Sequence, residues 1–338
     1  MEKRICEQCD CTNLKRSFFA FDFDGSAQPF EIQQCQQCGL AITLPKPQDM
    51  DPYYPETYYG SGNKKFSGVI EYLTQLGCKW RADSILKHAS ARLKTSDKPV
   101  NVEQADSKAA DHKLKVLDIG CGRAGLLRSL QQSGCDCHGT ERATFPDTDQ
   151  LQGLQVFTGS LNEAAYKSGS FDIVSIWHVL EHLDDPFEAL DEIARVTRSG
   201  GLLAVAVPNF SSWQSKLFKS AWFHLDLPRH LYHFDVHSLT QALKARGYSV
   251  TSTSTCSFEQ NVYGFIQSLM NKLHFLGKPN EFYQLLKKRS GLKQHLKLLM
   301  WGILAGLILP FALLEFMLSC LFNKGASVII FAHKSMDT

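Results

Sequence analysis

Between Lys113 and Gly125 the chain reads Lys-Leu-Lys-Val-Leu-Asp-Ile-Gly-Cys-Gly-Arg-Ala-Gly, a short apolar strand ending in an acid, a glycine-rich turn and the start of a helix. Such a turn lets backbone N–H groups approach a nucleotide cofactor closely, and Gly120, Gly122 and Gly125 have the spacing of a dinucleotide fingerprint. Glu141 follows about twenty residues after the first of these glycines, where an acid can accept hydrogen bonds from both hydroxyls of a ribose. Hydride transfer from a nicotinamide cofactor is one reading. Asp118 opposes it, because a carboxylate at the strand tip repels a pyrophosphate and attracts the ammonium group of a methionine-like ligand.

Cysteines and histidines form two further sets. Cys6-x-x-Cys9 and Cys35-x-x-Cys38 are knuckles separated by about two dozen residues, and Gly39 after the second lets backbone amides turn toward a metal-bound sulfur. Four thiolates around zinc leave no open coordination position, so the expected role of this ribbon is structural. Buried thiols and a redox pair are the alternatives to a metal, and a ribbon can also serve as a docking module. His178, Glu181 and His182 share one face if a helix begins there and could then converge on a divalent metal; otherwise the Glu181-His182 pair orients the loop. Trp222 to Phe234 holds three histidines, an arginine and four aromatics within about a dozen residues. His230 and His233 in that run are candidate general bases beside His178, with hydrogen bonding inside the loop as the competing reading.

Val116-Leu-Asp-Ile-Gly-Cys-Gly122 resembles the first motif of the class I S-adenosylmethionine (SAM)-dependent methyltransferases, and Phe171-Asp-Ile-Val-Ser-Ile-Trp-His-Val-Leu-Glu-His-Leu-Asp-Asp-Pro186 is similar to their fourth-strand motif. The resemblance covers residues 113 to 338 and implies SAM as cofactor. It implies that Asp118, Gly120, Cys121, Gly122, Gly125 and Glu141 bind it, with Trp177 at the strand tip and Leu161 and Asn162 beside the adenine. His178 then sits where methyl donor and acceptor meet, and His230 gains weight because a Pro-x-His-Leu run recurs there in the family. Some members hold a divalent metal on a Glu-x-x-Glu-His run, from which this chain departs by having His178 at the first position. The implied reaction is methyl transfer to a small-molecule or lipid-linked acceptor. An imidazole with a pKa near about 6.5 suits proton removal from a hydroxyl, so oxygen is the expected target atom. The alternatives are a SAM-binding scaffold that recruits a partner through its ribbon, and an NAD-dependent oxidoreductase.

The elements that must hold these residues are legible in part. The stretches around Phe18 to Phe23 and Phe30 to Gln33 alternate as a hairpin does, and Pro45-Lys-Pro47 closes the ribbon. Asp51 to Gly60 is a proline- and tyrosine-rich connector; Tyr54, Tyr58 and Tyr59 either cover the cofactor or pack between ribbon and enzyme domain. Residues 66 to 93 are predicted as a helix with Leu73, Leu76, Trp80, Ile85 and Leu86 on its apolar positions, and 94 to 112 as a polar linker. From Lys113 onward strands and helices alternate as a doubly wound, Rossmann-like parallel sheet requires. The expected organisation is a zinc ribbon over 1–47, a connector and helix over 48–112 and a SAM-binding α/β domain over 113–338.

With 338 residues and 44% hydrophobic content the chain can bury a large core. A net charge of +2, without a basic run interleaved with aromatics, gives no reason to expect nucleic acid as a partner. Met1 is followed by charged and cysteine-rich sequence, so a cytoplasmic protein with reduced or metal-bound thiols is expected. The segment 296–322 contains no charge from Leu298 to Leu314, and Lys287, Lys288, Arg289, Lys293 and Lys297 precede it. Hydropathy alone reads as a membrane span. Ser327 to His333, however, looks like a last strand that must pair with strands preceding the segment, which forbids a single crossing. The expectations are a helical hairpin broken at Pro310 and lying on the membrane surface, or a buried helix pair in a homo-oligomer.

Overall fold

The computed structural model describes residues 4–23, 28–54, 68–93, 113–142, 151–273, 278–287 and 292–336. The predicted linker 94–112, Tyr58, Tyr59, Lys288 and Arg289 lie outside the described residues.

Burial alternates along part of the middle strand of the first sheet. β1 (Leu14–Phe21), β2 (Pro29–Cys35) and β3 (Ala41–Leu44) pair antiparallel, with Phe30 and Ile32 of β2 turned into a core. α1 (Gly68–Leu93) follows. Its periodicity holds only in the second half: Ile85 and Leu86 pack on the second sheet with Ala82, whereas Leu73, Leu76 and Trp80 are exposed.

That sheet is assembled from β4 (Lys115–Ile119), β5 (Asp136–Glu141), β6 (Gln155–Thr158), β7 (Phe171–Trp177) and β8 (Thr197–Pro208), all parallel, with α2 (Gly125–Gln132) and α3 (Pro186–Val196) between strands. α4 (Trp213–Phe218), β9 (Tyr232–His233), α5 (Val236–Lys244) and β10 (Tyr248–Ser254) come next. α6 (Phe258–Lys272), α7 (Glu281–Lys287) and α8 (Leu292–Leu321) then precede β11 (Ser327–Lys334), which lies antiparallel between β8 and β10. The seven-stranded order is β10-β11-β8-β7-β4-β5-β6. Strand order reverses around β4, flanked by β5 and β7, and the ligand crevice of such a sheet opens at that reversal, beyond the carboxyl ends of the strands.

Three expectations require correction. The ribbon does not close on itself within residues 1–47, because β9 adds to its sheet through Ala41↔His233 and Ile42↔Tyr232. No α-helix begins at His178, where the chain turns through a left-handed φ of 55° into a single 3-10 turn over Leu180–His182. The helix starts only at Pro186, where the Asp185 side chain accepts hydrogen bonds from the Phe187 and Glu188 amides. Finally, α8 is one helix and not a hairpin. Pro310 removes one backbone hydrogen bond, but Ile308 and Ala312 on either side are buried against neighbouring helices and carry the helix through.

Candidate active site

Asp118 is buried near the end of β4, opposite Ser175 of β7, whose hydroxyl donates to its carboxylate. Burial raises its pKa to about 7. The loop beyond it needs glycine. Gly120 has φ +64°, and a Cβ there would lie 2.5 Å from a Val179 methyl. Gly122, at φ +54°, has open space where a Cβ would point, and its N–H donates to Glu141 Oε2 at 2.8 Å. The loop and the ribose acid predicted from sequence are thus brought together. Gly125 opens α2 beneath α1, and a Cβ there would meet Cys78 Sγ at 2.8 Å. The Cys121 side chain is buried against Gly139, and burial pushes its thiol well above the usual range.

Leu161 lies in the main core. Asn162 Nδ2 donates to Glu188 Oε1 at 2.9 Å in the first turn of α3. There it lines an open surface groove of about 560 Å³ with Tyr166 and Arg195. Trp177 is half-buried at the tip of β7, with the Arg81 guanidinium 5.2 Å from its ring centroid. Arg81 also pairs with Glu259 at 3.2 Å, and its charge favours the ionised form of Asp118. Sequence reasoning missed Arg81, since nothing in the mixed pattern of α1 says which residues reach the crevice.

The histidines form a connected cluster. His178 Nδ1 lies 3.3 Å from Glu181 Oε1, while its Nε2 is buried without a hydrogen-bond partner among the described residues. A carboxylate can only accept, so Nδ1 carries the proton and Nε2 the lone pair. His230 Nδ1 lies 2.9 Å from the His224 carbonyl, which by the same logic leaves its Nε2 basic, 4.0 Å from Glu181 and 3.9 Å from Asp226. His182 Nδ1 sits 3.0 Å from the Tyr54 hydroxyl and 3.1 Å from the Arg229 carbonyl. Burial opposes ionisation of Glu181, yet the His178 hydrogen bond and the nearby imidazoles hold its pKa at about 2. Burial and the His230 charge lower His182 to about 4. The residues whose ligand atoms converge, within 4.8 Å, are Glu181, His182 and His230, in place of the predicted His178, Glu181 and His182. The 3-10 turn, unlike a helix, does not bring all three onto one face.

His233 is turned to the ribbon. Its Nε2 lies 2.9 Å from Thr43 Oγ1, its ring packs on Phe210, and burial lowers its pKa to about 3. This engagement removes it as a base. One cavity that the Trp222–Phe234 segment lines, with Phe21 and Phe23, holds about 10 Å³, roughly one water.

The four knuckle cysteines converge, with Sγ–Sγ distances of 3.6 Å for both Cys6–Cys38 and Cys9–Cys35. Sulfurs at about 2.3 Å from a tetrahedral zinc are about 3.8 Å apart, so the donor set fits.

Residues 79–253 match a family model described as a methyltransferase domain. The chain is 30% identical over 122 residues to the ubiquinone biosynthesis O-methyltransferase of Colwellia psychrerythraea, covering 33% of this chain and 49% of that protein. It is 26% identical over 163 residues to the protein of the same name from Xanthomonas oryzae pv. oryzae, covering 45% and 65%. The chain thus spans about half the length of the first of these relatives. Among solved structures, Haemonchus contortus phosphoethanolamine N-methyltransferase 2 in complex with SAM aligns with a TM-score of 0.44 at 17% identity, over 67% of this chain and 50% of that one.

Proposed function

Since the chain belongs to the class I SAM-dependent methyltransferases, we propose that it transfers the SAM methyl group to an oxygen of a small-molecule or lipid-linked acceptor, with His178 as general base. The observation that carries this reading is the His178–Glu181 pair. It offers a buried, unpartnered Nε2 at the tip of β7, next to the glycine loop that packs on Val179.

Bound SAM supplies an electrophilic methyl group on a sulfonium, already a good leaving group. The protein's tasks are alignment and proton removal. Asp118 would hold the SAM ammonium, Arg81 its carboxylate and Glu141 its ribose hydroxyls, with Trp177 as the adjoining wall. His178 Nε2 takes the acceptor proton, and Glu181 stabilises the imidazolium that results. Oxygen is favoured because imidazole suits a hydroxyl acceptor and because the curated relatives are named O-methyltransferases.

The test is a calorimetric SAM titration across pH. Asp118, raised to about 7 in the free protein, is partly protonated below neutrality, whereas the ammonium favours its carboxylate. Binding at pH 6 should therefore release a proton, and affinity should rise from pH 6 to 8. No binding heat, or proton uptake at pH 6, would remove Asp118 from the site.

We assign the four cysteines to a structural zinc. Purified protein should contain about one zinc per chain, and Cys35→Ser should lose it while SAM binding persists. A metal-free protein with an intact ribbon counts against this assignment.

We also assign the outer face of α8 to the surface of an anionic bilayer. Ile303, Leu307, Phe311, Leu314 and Leu321 are exposed along it, whereas Trp301, Ile308 and Ala312 on the opposite face are buried. From residue 296 to 321 the stripe runs about 38 Å at about 1.5 Å per residue. Lys293 and Lys297 lie in the first two turns of α8, with Lys297 paired to Glu281. Length and hydropathy suit a span, but β11 follows directly and α6 covers the inner face, which favours a helix lying in the interface.

A further inference from the structure

Segment 229–233 is held on two sides. On one side the Leu231 N–H donates to the Glu181 carbonyl at 2.9 Å, and the Arg229 carbonyl meets His182 Nδ1 at 3.1 Å, tying the segment to the turn that carries the His178–Glu181 pair. On the other side the ribbon holds it through β3, which pairs with Tyr232 and His233, and one residue of that strand reaches further along the segment. Thr43, fully buried in β3, donates its N–H to the Leu231 carbonyl at 2.9 Å and its hydroxyl to the His230 carbonyl at 2.7 Å. The same hydroxyl oxygen lies 2.9 Å from His233 Nε2 and, its own hydrogen being committed to His230, accepts from it.

From this geometry we propose that Thr43 is a positioning residue, through which the ribbon fixes the His230 segment and with it the register of the Glu181 turn beneath His178. The inference rests on the proposed role of the His178–Glu181 pair, and it gives the ribbon a duty in catalysis beyond stability. Valine has nearly the shape of threonine but no hydroxyl. Thr43→Val leaves the His230 carbonyl and the His233 N–H buried and unsatisfied, a disturbance that reorients the segment or admits water. Thr43→Ser keeps both bonds.

The experiment compares full-length wild type, Thr43→Val and Thr43→Ser by steady-state methyl transfer, zinc content and ¹⁵N NMR of the histidine imidazoles. Thr43→Val should lower kcat ten- to a hundredfold, with KM for SAM within twofold, zinc retained and the His230 and His233 resonances shifted. Thr43→Ser should restore kcat and resonances to within about threefold and to near their original positions. A Thr43→Val protein with wild-type kcat, or with an unmoved His230 signal, overturns the proposal, as does rate loss accompanied by zinc loss. Should the wild type transfer no methyl group, the functional reading falls, and the imidazole signals alone decide whether Thr43 positions His230.

Discussion

Replacing His178 with alanine is expected to lower kcat by about a hundredfold to ten-thousandfold, the range for removing a positioned general base, while SAM affinity stays within about twofold. The separation follows from the architecture, since the proposed cofactor ligands Asp118 and Glu141 lie on β4 and β5, whereas His178 follows β7. Glu181 provides a second readout. Held at about 2, it remains ionised through the whole assay range, so Glu181→Gln removes a charge and not a titrating group. The variant should lose roughly tenfold to a hundredfold in kcat, because an amide can orient His178 but stabilises its imidazolium less. Full activity in His178→Ala would transfer the proton to another group, with His230 Nε2 the next available base.

The second large effect concerns α8. Substituting Ile303, Leu307 and Phe311 together with glutamate should abolish binding to anionic liposomes and leave SAM affinity intact. Each of these side chains gains about 1.5–3 kcal/mol on burial, so losing three costs several orders of magnitude in partitioning. Leu304 is avoided because it packs against the inner helices, where a charge would unfold the arm. Raised salt should weaken wild-type binding, each basic residue near the surface contributing about 1 kcal/mol. A triple variant that still floats with vesicles would rule out the bilayer. If instead the wild type ignores vesicles and the substitutions split a dimer, the stripe belongs to a second copy.

What the sequence disclosed was set by how locally each feature is encoded. Gly120 and Gly122 record a backbone with positive φ, and Gly120 also marks a contact that admits no Cβ, so residue type reports geometry directly. The cysteine knuckles needed only the β1–β2 hairpin, which alternation revealed. The candidate base cluster was half legible. His178, Glu181 and His230 were visible as residues, but their grouping depends on β9 docking between the Glu181 turn and β3, a contact across nearly two hundred positions that no periodicity encodes. The Asn162–Glu188 contact was illegible for a similar reason, since it depends on where the Asp185 cap sets Glu188. At Pro310 a sound local rule lost to tertiary packing around Ile308 and Ala312.

Methyl transfer to oxygen is decided by giving the full-length protein methyl-labelled SAM, anionic vesicles and an extract of cells lacking the protein, then fractionating the products. Stoichiometric S-adenosylhomocysteine and label in a base-stable methyl ether are expected, both forming at least about a hundredfold more slowly with His178→Ala. Label found on nitrogen or carbon would contradict the acceptor assignment. SAM bound without any S-adenosylhomocysteine formed would contradict the enzyme itself.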